Sequence, residues 1–365
     1  MIQILEPNLH GNEAKYVNEC IEENWISSQG RFVEDFERAM LRTVKERYSL
    51  AVSNGTVAIH LALKSLGVGP GDEVIVPNVT FGATVNAILH AGATPVFADV
   101  CERSWNLRVG HVESLVTPRT RAIMTVALFG SPFGVDEIAD WASSKGLLVI
   151  VDAAEAVGAA IRGLDIGSFG DAVTYSYFGN KTLTTGEGGG IIFKDGDVAD
   201  RARILRDHGM TPGRRYHHEV VGFNYRLTNL QAAIGVAQYE RLDCFANRRK
   251  EVVAIYKHHL NHLSGCEFQQ THRVIPSNWV VALRFRSANL RGKVENKLYE
   301  AGIESRRCFE PMHLQPAFSL YADRNQDFSI SEKLFESLLL VPTHVNLSDL
   351  DINMICKLII SEVAR

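Results

Sequence analysis

The sequence lacks several features that define secreted, membrane-spanning or nucleic-acid-binding proteins. Its six cysteines are spread over 365 residues without a Cys-x-x-Cys pair, so we expect reduced thiols and neither a disulfide framework nor a zinc site. A signal peptide has a basic stretch followed by an apolar run, and the N-terminal segment has neither. The sequence contains no run of about 18 apolar residues, so we expect no membrane span. A net charge of −4 does not favour nucleic-acid or membrane-surface partners. We therefore expect a cytoplasmic protein.

A dinucleotide-binding turn is also missing. A nicotinamide-dependent oxidoreductase would carry a G-x-G-x-x-G turn after its first strand and an acidic residue about 20 residues later. The glycine-rich segment 67–71 reads GVGPG, contains a proline and does not begin a helix, so it predicts a plain turn. The oxidoreductase is kept only as a second hypothesis.

Short apolar segments alternate with amphipathic segments between residues 50 and 195. The apolar segments are rich in Val and Ile, which is typical of strands buried on both faces; they are 50–53, 73–77, 94–100, 122–128, 147–152, 172–177 and 189–193. Helical patterns lie between them, among them 56–66, 82–91 and 134–144. The alternation predicts an α/β fold with a mostly parallel, seven-stranded sheet covered by helices.

The pattern changes after residue 229. A long helical pattern covers residues 230–262, and a strand pattern follows at 279–286. A chain of this length is expected to form two domains. We predict a large domain over residues 1–245 and a smaller C-terminal α+β domain over residues 246–365.

Lys181 lies in a segment whose composition suits an enclosed pocket. Residues 171–190 read DAVTYSYFGNKTLTTGEGGG, with aromatic residues before the lysine and small residues after it. A lone lysine in such a position is ordinarily a solvated surface residue. Here the small residues would let a flat ring approach the backbone closely. A lysine desolvated in such a pocket can form a Schiff base with an aldehyde cofactor.

Asp152 follows a strongly apolar strand pattern, at the end of a strand where open α/β sheets bind ligands. One interpretation is an N-cap of the next helix, a common use of aspartate. The other is an ionised carboxylate paired with the protonated pyridine nitrogen of pyridoxal phosphate, where it keeps the ring electron-withdrawing. The residues alone leave both open.

A phosphate site is indicated by residues 53–56, SNGT, between a strand pattern and a helix pattern. Backbone N–H groups at a helix N-terminus bind phosphate, and Gly55 would allow a close approach. Ser176 could add a hydroxyl group. An ordinary N-cap turn is the alternative.

Taken in order, these segments resemble the DegT/DnrJ/EryC1/StrS family of sugar aminotransferases, which are fold type I enzymes that use pyridoxal 5'-phosphate. The segments that carry the resemblance are 11–13 (GNE), 25–30 (WISSQG), 53–56 (SNGT), 77–81 (PNVTF), 152–156 (DAAEA), 178–182 (FGNKT), 186–189 (GEGG) and 222–226 (GFNYR). The resemblance implies that Lys181 is the catalytic amine that carries the cofactor and moves the proton. It implies that Asp152 pairs with the pyridine nitrogen and that Glu155 lies near the phenolic oxygen.

The resemblance also implies further cofactor contacts. Phe81 would stack on the ring, and Gly55, Thr56 and Ser176 would hold the phosphate. In the family, the asparagine that matches Asn224 reaches the phosphate of the other subunit's cofactor, which implies a homodimer with shared active sites. Some relatives are dehydratases with histidine in place of the lysine, so the lysine here favours transamination.

Segments 25–28 and 178–189 resemble most the members that aminate GDP-4-keto-6-deoxymannose, with glutamate as the amino donor. Candidate donors for a nucleotide diphosphate are Arg214, Arg215, His218, Arg306 and His313, because guanidinium groups match phosphate geometry; a solvated charged face is the alternative. No metal site is expected, since His217 and His218 have no third ligand at a recognisable spacing. His217 and Ser131 stand where those members have tryptophan and histidine. A UDP- or dTDP-linked substrate and a non-enzymatic binding protein stay open as alternatives.

Overall fold

The computed structural model describes residues 1–323 and 325–364. Numbered in chain order, its strands are β1 Tyr48–Val52, β2 Glu73–Pro77, β3 Thr94–Ala98, β4 Thr120–Val126, β5 Leu148–Asp152, β6 Ala160–Ile161, β7 Leu164–Asp165, β8 Ala172–Ser176, β9 Gly189–Phe193, β10 Cys266–Phe268, β11 Val274–Ile275, β12 Val281–Phe285, β13 Arg306–Arg307 and β14 Leu338–Val341. Each strand segment predicted from the sequence overlaps one of these strands.

The α-helices, also in chain order, are α1 Glu13–Glu22, α2 Arg31–Met40, α3 Gly55–Ser65, α4 Gly82–His90, α5 Val109–Val112, α6 Val135–Ser144, α7 Gly196–Arg206, α8 Asn229–Glu240, α9 Leu242–Leu260, α10 Ala288–Glu300, α11 Ser329–Ser337 and α12 Asp349–Val363. No helix within the described ranges is both long and apolar enough to cross a membrane.

The main sheet has seven strands in the order β1-β9-β8-β5-β4-β2-β3. β9 runs antiparallel to both of its neighbours, and every other neighbouring pair is parallel. Successive residues of a strand enter different cores: Val74 and Val76 pack with α4, whereas Ile75 packs in the large core that contains α2. Burial on both faces explains the continuous Val and Ile runs. The predicted α/β class and the mostly parallel seven-stranded sheet are confirmed.

The C-terminal part contains an antiparallel sheet in the order β10-β12-β14-β13. Its apolar face packs with α9, α10 and α12 in a separate core. Residue 245, the predicted domain boundary, lies inside α9. Phe245 packs in the large core, whereas Val252 and Tyr256 pack in the C-terminal core. We propose that the boundary falls within this helix, which joins both cores.

The prediction of one helix over residues 230–262 is wrong. A capping box of Thr228 and Gln231 begins α8, which ends before Arg241, and α9 begins directly after it. Arg241 has φ −108° and ψ 4°, and its N–H group bonds to the carbonyl three residues back. The break lets α8 pack against α1 and α2 while α9 turns towards α12. The apolar pattern continues through the break and therefore did not reveal it.

Candidate active site

A cavity of about 750 Å³ opens at the carboxyl ends of the parallel strands. Val126, Asp152 and Ser176, the last residues of β4, β5 and β8, all line it. The first turn of α3 and residues of the C-terminal part complete the wall. This is the edge at which open α/β sheets bind ligands.

Asp152 is buried in this wall, with 6% of its surface exposed. Its Oδ2 accepts a hydrogen bond of 2.8 Å from the Thr84 hydroxyl, and its Oδ1 accepts one of 3.1 Å from the Ala154 N–H group. Burial raises the pKa of Asp152, against the lowering effect of these bonds and of Lys181. Residues 153–159 contain turns and no helix, so the interpretation of Asp152 as a helix N-cap is wrong.

Glu155 and Lys181 form an ionic contact in the wall of the cavity. Lys181 Nζ lies 3.6 Å from Glu155 Oε1, and Glu155 Oε2 accepts a 2.8 Å hydrogen bond from the Phe129 N–H group. Phe129 has φ 55°, a left-handed conformation that is unusual for a bulky residue. Burial raises the pKa of Glu155, and the amine of Lys181 opposes that shift. The cavity therefore places one amine beside two buried carboxyl groups.

Trp279 forms the other wall around the lysine. Lys181 Nζ lies 4.4 Å from the centre of the indole ring, and the indole Nε1 donates a 2.8 Å hydrogen bond to the Asn180 carbonyl. Neither Trp279 nor Thr84 is predicted from the sequence to be a site residue. Trp279 precedes β12, far from the lysine in the chain, and no local motif marks it.

The segment predicted as a phosphate cradle forms the start of α3. Asn54 caps the helix through a 3.0 Å bond from the Val57 N–H group, and Gly55 and Thr56 line the cavity. A Cβ atom on Gly55 would lie 2.9 Å from the Ser176 Cβ atom. Glycine is therefore required where the helix N-terminus approaches the end of β8. The sequence-predicted members of this cradle lie together.

Aromatic rings flank the cavity on the side of α4. Phe81 is 63% exposed, and its ring centre lies 5.9 Å from that of Phe309, which stacks on Phe129 at 6.0 Å. Phe309 also lines the cavity but carries no sequence signal, because it comes from the C-terminal part.

The predicted substrate donors do not all lie at the cavity. Arg306 lines it and pairs with Glu304 at 2.9 Å. His313 does not line the cavity and is hydrogen-bonded to Asn78 and Glu332. The remaining candidates, Arg214, Arg215 and His218, are exposed and do not line the cavity of their own chain. The predicted cofactor contact Asn224 is also exposed and outside that cavity.

Comparisons with known proteins agree with this geometry. The model of the DegT/DnrJ/EryC1/StrS aminotransferase family matches residues 7–360. A GDP-perosamine synthase of Caulobacter vibrioides is 45% identical over 359 residues, which covers 97% of this chain and 96% of that protein. A GDP-perosamine synthase of Escherichia coli O157:H7 is 41% identical over 356 residues, which covers 98% and 97%.

A solved structure, that of S. venezuelae DesV in complex with a ketimine intermediate, has the same fold. It is 30% identical, has a TM-score of 0.91 and covers 97% of this chain and 95% of its own. Sequence, fold and site thus point to one class of enzyme. The chain belongs to the DegT/DnrJ/EryC1/StrS aminotransferase family and is a pyridoxal-phosphate-dependent sugar aminotransferase.

Proposed function

We propose that the chain transfers an amino group from glutamate to a 4-keto-6-deoxy sugar linked to GDP, with Lys181 as the reactive amine. One observation carries the assignment of the amine: Lys181 Nζ lies 3.6 Å from the buried Glu155 carboxylate, at the wall of the cavity that Asp152 also lines. The nucleotide is supported by the relatives at 45% and 41% identity, which are named GDP-perosamine synthase.

The residues of the cavity fit pyridoxal phosphate. Asp152 offers a buried carboxylate to the pyridine nitrogen, and Glu155 offers one near the phenolic oxygen. The α3 N-terminus offers N–H groups to the phosphate, and Gly55 leaves room because a Cβ there would contact Ser176. When bound, the cofactor holds the amino group between the two half-reactions and withdraws electrons from the carbon that loses a proton.

Asp152 supplies the electrostatic part of the reaction. An ionised carboxylate is costly to bury without a cation, and its neighbours Thr84 and Ala154 offer neutral donors. A protonated pyridine nitrogen would offset that cost, and the carboxylate would in turn keep the nitrogen protonated. The cofactor and Asp152 would therefore stabilise each other.

Lys181 supplies the proton transfer. Once its amine is free, it would take the proton from the substrate carbon as general base and deliver it to the C4′ carbon of the cofactor as general acid, with the reverse order in the second half-reaction. Glu155 holds Nζ at this side of the cavity. Phe81, with its exposed ring at the rim, would cover one face of the cofactor, and the Ser176 hydroxyl would complete the phosphate cradle.

We propose a homodimer in which Asn224 acts in the partner subunit's cavity. Asn224 is exposed and does not line the cavity of its own chain. Nearby Tyr216 and Val221 are 75% and 90% exposed, and Phe178 at the cavity is 46% exposed. Exposed apolar side chains in these two segments support a protein interface.

The segment that carries Asn224 also carries the basic residues Arg214, Arg215 and His218, which would then serve the diphosphate in the partner's cavity, opposite Arg306. His313 would support that side through its hydrogen bond to Asn78. A cytoplasmic location is supported by the six cysteines, which are all unpaired.

Asp152→Asn should lower kcat by about 100-fold or more, the effect of losing one preorganised electrostatic contact, with a much smaller loss of bound cofactor.

The same variant should change the pH dependence of stability. Because burial raises the folded-state pKa of Asp152, the contribution of Asp152 to the free energy of unfolding is present at low pH and is lost as the pH rises through the folded-state pKa. The cofactor-free Asp152→Asn protein should therefore have a higher Tm than the parent at neutral pH, and this gain should vanish on acidification.

The matched control is Asp165→Asn. Asp165 is also a carboxylate whose pKa burial raises, and it accepts a 2.7 Å bond from the Gly167 N–H group, but it does not line the cavity. Its replacement should leave kcat unchanged. A lower Tm with normal kcat for Asp152→Asn would show that Asp152 is structural.

Mixing Lys181→Ala with Asn224→Ala should restore activity, because one of the two sites in a hybrid dimer then has both residues. After full subunit exchange of equal amounts, half of the dimers are hybrid and half of their sites are intact, so about one quarter of parental activity is expected. Mixing Lys181→Ala with Asp152→Asn is the control, since both residues belong to one cavity and every site stays defective. Demonstrated exchange without recovery would contradict a shared site.

GDP-4-keto-6-deoxymannose should have a higher kcat/KM than UDP- or dTDP-linked 4-keto sugars, with products identified by mass. Arg306→Gln should raise KM about 10-fold for each nucleotide sugar, because a charge-assisted contact to the shared diphosphate is lost. Arg307→Gln is the control: Arg307 is adjacent in β13 but pairs with Glu295 and does not line the cavity. A preference for a UDP or dTDP sugar would overturn the GDP assignment and leave the aminotransferase reaction intact.

A further inference from the structure

Trp279 contacts the catalytic segment at two points. Its ring lies under Lys181 Nζ at 4.4 Å, and its Nε1–H group donates to the carbonyl of Asn180, the residue before the lysine. We propose that Trp279 is a positioning residue that holds the Lys181 amine on the Glu155 side of the cavity while it moves the proton. This inference rests on the proposed role of Lys181.

The first contact fixes the amine. The face of an indole ring carries negative charge density and attracts an ammonium group. The charged groups that face Nζ are Glu155, at 3.6 Å, and Asp152 on the same wall. A carboxylate attracts the amine but leaves its long side chain free to swing, since a lysine behaves as a point charge on a flexible stem. The flat ring 4.4 Å from Nζ provides a second contact that restricts that freedom.

The second contact fixes the backbone. The Asn180 carbonyl accepts the indole N–H bond at 2.8 Å, and the Lys181 N–H group donates to the Phe178 carbonyl at 2.9 Å. The two bonds hold the oxygen and the N–H group of one peptide unit, the unit that links Asn180 to Lys181, and so fix its orientation. A phenylalanine would keep a ring below the amine but lose the indole hydrogen bond to the Asn180 carbonyl. A leucine would lose the ring and that hydrogen bond.

Trp279 itself is held from the C-terminal part. It is 5% exposed, and its carbonyl accepts a 2.7 Å bond from Nη1 of Arg249 on α9. The same guanidinium group donates to the Thr343 carbonyl at 2.9 Å, and the Thr343 hydroxyl accepts from the Val281 N–H group. Burial lowers the pKa of Arg249 to about 10, so it stays charged at neutral pH. The C-terminal part thereby supplies a rigid support for a lysine that lies on the main sheet.

A tryptophan that only fills the core would not contact the segment that carries the reactive lysine. Trp141 on α6 provides the comparison, because its ring lies 6.0 Å from Lys145 Nζ outside the cavity. It is the same pair of residue types without the contact to the catalytic segment.

The experiment compares Trp279→Leu, Trp279→Phe and Trp141→Phe with the parent. Cofactor-free protein is mixed with pyridoxal phosphate and quenched with borohydride at set times, and the labelled peptide is quantified by mass. This gives the rate at which Lys181 captures the aldehyde, independently of turnover. kcat, KM and Tm are measured on the cofactor-loaded proteins.

Trp279→Leu should lower the capture rate and kcat together by about 100-fold, the scale of a 1 Å misplacement, with KM changed less than about threefold. Trp279→Phe should lower both by about threefold to tenfold, because one hydrogen bond is lost. Trp141→Phe should change neither. If Trp279→Leu does not fold, the Phe variant carries the test alone.

Parental capture rate and kcat in the Trp279 variants, with only Tm lowered, would overturn the proposal and leave Trp279 a core residue. Capture on a different lysine in the parent would instead overturn the assignment of Lys181. The two failures are therefore distinguishable.

Discussion

Two carboxyl groups, Asp152 and Glu155, are buried at the carboxyl edge of the sheet beside one amine, and the site depends on how their charges are compensated. Burial raises the pKa of both. Glu155 has Lys181 at 3.6 Å, whereas the groups that donate hydrogen bonds to Asp152 are the neutral Thr84 and Ala154, and Lys181 acts on Asp152 only through its charge. A buried carboxylate without a cation is costly. This arrangement supports the proposed pairing of Asp152 with the protonated pyridine nitrogen of the cofactor.

The two parts of the chain contribute differently to this arrangement. Strand ends of the main sheet place Asp152 and Ser176, and the turn after β8 places Lys181. The C-terminal part supplies Trp279 and Arg306 to the same wall. Because α9 packs in both cores, any shift of one part against the other would move the surroundings of the amine. The reaction geometry therefore requires that both cores are intact.

The sequence predicted the sheet well because strands buried on both faces must be continuously apolar. It failed at Arg241, where the helix breaks without a change in the apolar pattern. Lys181, Asp152 and Glu155 lie in one cavity as expected, and the turn after Asp152 decides against a helix cap. Trp279 and Phe309 could not be predicted, since their roles arise from folding of distant segments.

The most direct measurement of the central claim is the reaction of the cofactor-loaded protein with glutamate alone. The parent and Lys145→Ala should lose their visible absorption band and release a stoichiometric amount of 2-oxoglutarate, and the keto-sugar nucleotide should restore the band. Lys181→Ala, with its cofactor retained, should do neither at a comparable rate, because the group that moves the proton is gone. Release of 2-oxoglutarate by Lys181→Ala at the parental rate would contradict the account.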